Sequence, residues 1–162
     1  YNLISKYFRF TDDLITKAIN ILDKKEDEII CALHIRRGDY RSWLGGAYFF
    51  EFDTYISIAN QIAEKYSMCN VKFVLFSDED ISGIIQQKIQ GQVFVSCNDA
   101  ILELCMMSVC NLIVSPPSSF SGWASFIGNV PRFILYSKES TFERDKCFVW
   151  MLETDGFGNH IQ

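Results

Sequence analysis

The stretch with the clearest chemistry is CALHIRRGDYRSW, residues 31–43, in which two arginines, a glycine and an aspartate follow an apolar run. Adjacent side chains of an extended chain point to opposite faces, so one of Arg36 and Arg37 can enter a site while the other forms a structural pair. A guanidinium can hold two phosphate oxygens at once. The sequence therefore predicts an anion site at the end of this run, with an ordinary salt-bridge site as the alternative.

A second group of anion donors lies further along the chain, in PPSSFSGWASFIG. Ser118, Ser119 and Ser121 stand where a helix should begin after an apolar strand. The unpaired N–H groups at a helix start favour an anion, and serine hydroxyls add further donors. The alternative is that these serines only cap the helix. Arginines, hydroxyls and a helix start together favour a phosphate group as the ligand.

The elements that must position these residues alternate along the chain. Apolar spacing predicts helices over 11–25, 53–66, 81–89 and 99–110, and PPSSFSGWASFIG, residues 116–128, is typical of a turn followed by another helix. Strands that are apolar on both faces are predicted over 29–35, 71–77, 92–96, 111–115 and 132–136. This pattern is typical of a Rossmann-like α/β fold, a parallel sheet with helices on both faces. Ligands gather at the carboxyl ends of such strands, so we expect one crevice there.

Composition narrows the class of protein. The chain has 162 residues, the size of one domain, and its net charge of -5 argues against a nucleic-acid footprint. No apolar run approaches the roughly 20 residues of a membrane span. The six cysteines form no C-x-x-C pair, and zinc is disfavoured. We expect reduced thiols and a location in the cytoplasm or at the cytoplasmic face of a membrane.

The motif HIRRGDY resembles the H-x-R-R-G-D-Y motif of the α-1,2-fucosyltransferase family, and FSDE and SSFSGWAS resemble later motifs of that family. The order and spacing agree from about Cys31 to Tyr136. More distantly, the chain is similar to the α-1,6- and protein O-fucosyltransferases, which share the H-x-R-R core. The resemblance implies an inverting GT-B glycosyltransferase whose carboxyl-terminal half binds GDP-fucose without an obligatory metal.

The resemblance also implies roles for individual residues. Arg36 would hold the diphosphate as a catalytic residue, and Asp39 is the nearest candidate base, although it could instead pair with an arginine. Glu103 falls where relatives have an aspartate that bonds guanine. The substrate-binding candidates are His34, Arg37, Asp78, Glu103, Ser118, Ser119 and Phe120. For His34 a bracing role in the core is the alternative; Trp43, Tyr48, Phe49 and Phe50 fit either a sugar pocket or the core.

The expected activity is the transfer of fucose from GDP-fucose to a hydroxyl of a glycan acceptor, in α-1,2 linkage, with no cofactor and no metal. Residues 1–162 would form the donor-binding domain alone, without the acceptor-side amino-terminal domain. Membrane association would be peripheral, through regions outside this sequence. Gly122, Pro116 and Pro117 depart from the family pattern and leave the sugar specificity open.

Two alternatives come from different classes of protein. One is a non-catalytic module that binds a GDP-sugar. The other is a metal-dependent glycosyltransferase, because Asp78-Glu79-Asp80 satisfies the D-x-D pattern that binds manganese or magnesium.

Overall fold

A computed structural model describes residues 7–81, 83, 85–97 and 99–149 of the chain. Its centre is a parallel sheet in which the strands lie in the order β3-β2-β1-β4-β5. The strands are β1 (Glu28–Ile35), β2 (Asn70–Ser77), β3 (Gln92–Val95), β4 (Leu112–Ser115) and β5 (Arg132–Ile134). The chain winds outward from β1 in both directions, so a topological switch lies between β1 and β4. The predicted strands and the Rossmann-like α/β fold are confirmed.

Four α-helices cover the described part of the sheet on both faces. They are α1 (Asp12–Leu22), α2 (Phe52–Lys65), α3 (Ala100–Ser108) and α4 (Ser119–Gly128). Helices α1, α3 and α4 pack on the face that carries Ile30 and Ala32, while α2 packs on the face that carries Cys31 and Leu33. Both faces of β1 are therefore buried, which explains its unbroken apolar sequence. None of the described helices is long and apolar enough to cross a membrane.

The helix starts differ in how they are capped. The side chain of Thr11 accepts a hydrogen bond from Leu14 N at 3.4 Å, and that of Asp99 accepts one from Leu102 N at 3.0 Å. Ser118, the residue before α4, makes no such side-chain bond. The first N–H groups of α4 are therefore not satisfied by a capping side chain.

The predicted helix over 81–89 is wrong. The described residues of this segment contain only a short 3-10 turn, Gln86–Lys88, and Ser82 and Ile84 lie outside the described residues. Ile81, Ile85 and Ile89 recur every fourth residue and are all buried, which imitates the apolar stripe of a helix. Gly83 has a φ of +79°, in the left-handed region, which interrupts a right-handed helix.

Candidate functional site

A cleft of about 540 Å³ opens at the carboxyl ends of the strands, where the sequence predicts it. Its walls come from the segments after β1 and β2 and from the first turns of α3 and α4. The lining residues are His34, Arg36, Asp39, Tyr40, Trp43, Ser77, Asp78, Ala100, Glu103, Ser118, Ser119 and Phe120. The structure therefore brings together the predicted catalytic and substrate-binding residues except Arg37, and the predicted anion donor Ser121 is also absent from the lining.

Arg36 is the cation that faces the cleft. Its Nε lies 2.9 Å from Oδ1 of Asp39, and one terminal nitrogen lies 3.4 Å from Oδ2 of Asp78. The side chain is 36% exposed, so it can reach a ligand in the cleft. A guanidinium held by two carboxylates is oriented before the ligand arrives, which reduces the ordering cost of binding.

The structure corrects the assignment of Arg37 as a substrate-binding residue. Its side chain is buried outside the cleft, with ion pairs to Glu51 at 3.0 Å and to Glu79 at 3.2 Å. The guanidinium carbon lies 4.5 Å and 4.2 Å from the ring centres of Phe49 and Phe52. Successive side chains of an extended segment alternate, so with Arg36 in the cleft Arg37 must point away. Arg37 is the structural partner of the pair.

Asp78 and Glu79, at the end of β2, hold the arginine segment in place. Asp78 accepts hydrogen bonds from the backbone N–H groups of Arg37 at 2.9 Å and Gly38 at 3.0 Å. A hydrogen bond from Arg41 at 2.7 Å lowers the pKa of Glu79, and Arg37 contributes to the same shift. In the described part of the chain, no three or more His, Cys, Asp or Glu side chains are grouped so that they could hold a metal ion.

His34 presents a neutral ring to the cleft. It is 5% exposed, and its Nδ1 has no hydrogen-bond partner in the structure. Burial lowers the pKa of His34 to about 3, with further lowering by the charges of Arg36 and Arg132. The ring centre lies 5.5 Å from that of Phe120, so the histidine packs against this aromatic ring while it lines the cleft.

Glu103 lines the cleft from the first turn of α3, one turn after its capping residue Asp99. The hydroxyl of Ser96 donates to Oε1 of Glu103 at 2.6 Å. A carboxylate at this wall can accept two N–H donors from one edge of a ligand. Ser96 helps to fix its orientation.

The loop before α4 is held from two sides. The hydroxyl of Tyr40 donates to the carbonyl of Pro117, and Arg132 donates to the carbonyl of Ser118 at 2.8 Å. Ser118 and Ser119 line the cleft, but Ser121 is fully buried and bonds Ser115 Oγ at 2.9 Å. Ser121 is therefore a structural residue, contrary to its predicted role as a donor.

The four aromatic residues that the sequence offered for either a sugar pocket or the core lie in different surroundings. Trp43 lines the cleft and is 42% exposed, and Tyr48 packs against it at 5.7 Å between ring centres. Phe50 is in the core, and Phe49 lies over Arg37. Only Trp43 of these four contributes to the cleft wall.

The sequence did not single out Tyr40, Ala100 or Arg132 as residues of the site. Tyr40 stands inside the quoted motif, so its position was a usable signal, and Ala100 lines the cleft at the start of α3. Arg132 begins β5, at the far end of the strand from the cleft, and nothing in the sequence suggests that its side chain reaches α4.

The fold of the chain is similar to that of solved glycosyltransferase structures. A NodZ α-1,6-fucosyltransferase crystal soaked with GDP-fucose superposes with a TM-score of 0.55 at 13% identity, over 90% of this chain and 49% of that chain. NodZ from Bradyrhizobium, in selenomethionine form, gives a TM-score of 0.51 at 15% identity, over 86% and 50%. A family 9 glycosyl transferase from Veillonella parvula DSM 2008 gives 0.54 at 12% identity, over 76% and 35%.

The chain thus spans about half the length of the NodZ chains. At such low sequence identities, the similarity to these structures shows the fold alone. No curated protein shows significant sequence similarity to it. Residues 6–145, most of the chain, match the family model described as glycosyl transferase family 11. This chain is therefore a member of glycosyl transferase family 11.

Proposed function

We propose that the chain carries the donor site of a fucosyltransferase, which moves fucose from GDP-fucose to a hydroxyl of a glycan acceptor. The observation that carries the proposal is one cleft that combines Arg36, the uncapped start of α4 and the Glu103 carboxylate. The volume of about 540 Å³ lies within the usual range for a small-molecule site. The family membership and the fold shared with the NodZ structures support the same donor.

The diphosphate would lie between Arg36 and the start of α4. When the bond between the sugar and GDP breaks, its electron pair stays on the diphosphate oxygen, so negative charge develops there. Preorganised donors aimed at that position lower the barrier more than any other single effect in many enzymes. The guanidinium of Arg36 and the first N–H groups of α4 supply such donors on rigid elements.

The guanine base would lie against Glu103. Guanine offers N1–H and N2–H side by side, and a carboxylate accepts from both. The hydroxyl of Ser96 donates to Oε1 of Glu103 at 2.6 Å and helps to hold this carboxylate on the cleft wall. The neutral His34 fits a contact to the donor sugar or to a phosphate oxygen, since its Nδ1 is unpaired.

Transfer would proceed with inversion and without metal. The acceptor oxygen attacks the sugar carbon on the face opposite GDP, the new bond replaces the old one, and the acceptor proton goes to a base. Asp39 is the proposed base because its carboxylate is in the cleft and its side chain is 60% exposed. The α-1,2 linkage rests on the H-x-R-R-G-D-Y resemblance.

The engagement of Asp78 and Glu79 supports a metal-independent reaction. Both carboxylate oxygens of Asp78 accept backbone N–H groups, and both of Glu79 contact arginines. A divalent ion would have to break these bonds before it could use the carboxylates. Asp78 is the first aspartate of the D-x-D pattern Asp78-Glu79-Asp80, and it is already bound to the arginine segment.

A second candidate function is a module that binds the GDP-sugar without transferring it. The observation in its favour is that this chain spans about half the length of the NodZ chains. Fucose transfer by the 162-residue chain, measured beside a form extended at its amino terminus, separates the two functions. Equal donor affinity with transfer only in the longer form would favour the binding module for this chain.

Calorimetry with GDP-fucose, GDP-mannose, UDP-galactose and GDP, each with and without EDTA, tests the donor proposal. We expect GDP and GDP-fucose to bind, UDP-galactose not to bind, and EDTA to change nothing. A preference for UDP-galactose, or binding that EDTA abolishes, would overturn the proposed donor or the metal independence respectively.

A further inference from the structure

The cleft lining carries more negative than positive formal charge. Asp39, Asp78 and Glu103 line it, and Arg36 is its only cationic side chain among the described residues. Two of these carboxylates already contact Arg36. A diphosphate carries at least two negative charges at neutral pH, so the lining side chains alone would oppose its binding. Positive potential must come from groups behind the cleft surface.

Within the described residues, Arg132 is a buried cation without a carboxylate partner. The residue is 2% exposed, and its Nε has no hydrogen-bond partner. None of the ion pairs in the described part of the chain includes it. An unpaired buried charge costs a large desolvation free energy, and a structural role alone would be served by an apolar side chain of similar volume.

The guanidinium of Arg132 lies directly behind the start of α4. One terminal nitrogen donates to the Ser118 carbonyl at 2.8 Å and contacts Ser121 Oγ at 3.1 Å. The Ser118 carbonyl belongs to the same peptide group as the N–H of Ser119, the first residue of α4. A charged donor on that carbonyl polarises the peptide and makes its N–H a stronger donor. Ser118 and Ser119 both line the cleft.

We propose that Arg132 is a positioning residue for diphosphate, which acts on the ligand through the Ser118–Ser119 peptide and serves as a buried counter-charge behind it. The proposal rests on the proposed function, because it assigns a residue to the same donor site. Burial lowers the pKa of His34 first, then the charge of Arg36, and the charge of Arg132 adds to the same shift, which is consistent with a field that extends to the cleft lining.

The test separates the phosphate from the base by calorimetry with GDP and with guanosine. Arg132→Met removes the charge and keeps much of the volume, while Arg132→Lys keeps the charge. Arg144→Met is the matched control, because Arg144 binds Tyr66 and lines a different cavity, away from the candidate site. We expect Arg132→Met to lower GDP affinity at least tenfold without changing guanosine affinity, Arg132→Lys to recover part of the loss, and Arg144→Met to change neither.

Unchanged GDP affinity in Arg132→Met, or equal losses for GDP and guanosine, would overturn the proposal and leave Arg132 a structural residue. If the wild-type protein binds no GDP, the proposed function fails and the role of Arg132 fails with it. If the wild-type protein binds GDP and Arg132→Met binds it equally well, only the role of Arg132 fails.

A second measurement does not depend on the folding of Arg132→Met. Burial lowers the pKa of Arg132 itself to about 10, and a lysine at this site starts from a lower intrinsic pKa. The buried lysine should therefore lose its proton, and with it the positive charge, at a lower pH than the arginine does. We expect the GDP affinity of Arg132→Lys, relative to that of the wild type, to fall between pH 7 and pH 9. A ratio that stays constant over this range would contradict the proposed role of the charge.

Discussion

The backbone N–H of Gly38 donates to Oδ2 of Asp78 at 3.0 Å, and a β-carbon on Gly38 would lie 2.8 Å from the same oxygen. The contact leaves no room for a side chain, because real β-carbons essentially never approach that closely. The same carboxylate oxygen lies 3.4 Å from Arg36. The position of Arg36 therefore depends on the absence of a β-carbon at Gly38, two residues further along the chain.

Gly38→Ala should displace Asp78 and, with it, Arg36. We expect GDP affinity to fall about tenfold, equivalent to about 1.4 kcal/mol, with only a small change in melting temperature. Calorimetric titration of GDP measures the affinity, and thermal denaturation checks the fold.

Gly128→Ala is the matched control, since a β-carbon there would lie 1.9 Å from the Ser108 carbonyl oxygen in the packing of α3 on α4. That variant should lose stability while the folded protein keeps its GDP affinity. A folded Gly38→Ala protein with wild-type GDP affinity would show that Asp78 does not position Arg36.

Arg36→Lys keeps the positive charge but loses the planar fork that holds two phosphate oxygens. A hydrogen bond to a charged group contributes about 1.5–3 kcal/mol, so we expect GDP affinity to fall roughly tenfold or more while the fold survives. Arg41→Lys is the control, because Arg41 is 55% exposed and pairs with Glu79 outside the cleft lining. Equal GDP affinities for the two variants and wild type would remove Arg36 from the site.

Glu103→Gln tests the recognition of guanine, because the amide has one acceptor where the carboxylate has two. GDP binding should weaken by about 1–3 kcal/mol, while ADP binding should change little. Titration of both nucleotides against both proteins measures the preference. Glu139→Gln, at an exposed carboxylate that accepts from Ser137, controls for the loss of one negative charge. Equal losses for GDP and ADP would mean that Glu103 does not distinguish the bases.

His34 should make the fold sensitive to acid. Its pKa in the folded protein is about 3, against about 6.5 in the unfolded chain, so between these values only the unfolded state binds the proton. Stability is therefore complete above the unfolded pKa and falls as the pH falls through this window. The contribution of this one group is about 2 kcal/mol between pH 7 and pH 5.

Urea denaturation at pH 7 and pH 5 measures this effect in wild type and in His34→Gln. The variant should lose less stability over the interval, by about the same 2 kcal/mol. His160→Gln, at the other histidine of the chain, serves as the comparison. An identical pH dependence in wild type and His34→Gln would contradict a buried neutral histidine.

The sequence by itself determined the sheet, most of the helices and the end of the sheet at which the site lies. Apolar runs such as 29–35 must be buried on both faces, which requires a covered parallel sheet, and the residues after such strands meet at one edge. The prediction of a helix over 81–89 failed because Ile81 and Ile89 are buried at the spacing typical of a helix, although the described residues there form only a short 3-10 turn.

Only the tertiary structure decided which of the two adjacent arginines lines the cleft. The alternation of side chains predicts that Arg36 and Arg37, which follow β1, point to opposite sides. Which of the two enters the cleft depends on Glu51 and Glu79, which come from other segments and form ion pairs with Arg37. The same holds for Arg132, whose guanidinium approaches α4 because β5 pairs with β4. Side-chain placement of this kind depends on long-range packing, and packing partners distant along the chain leave no local pattern in the sequence.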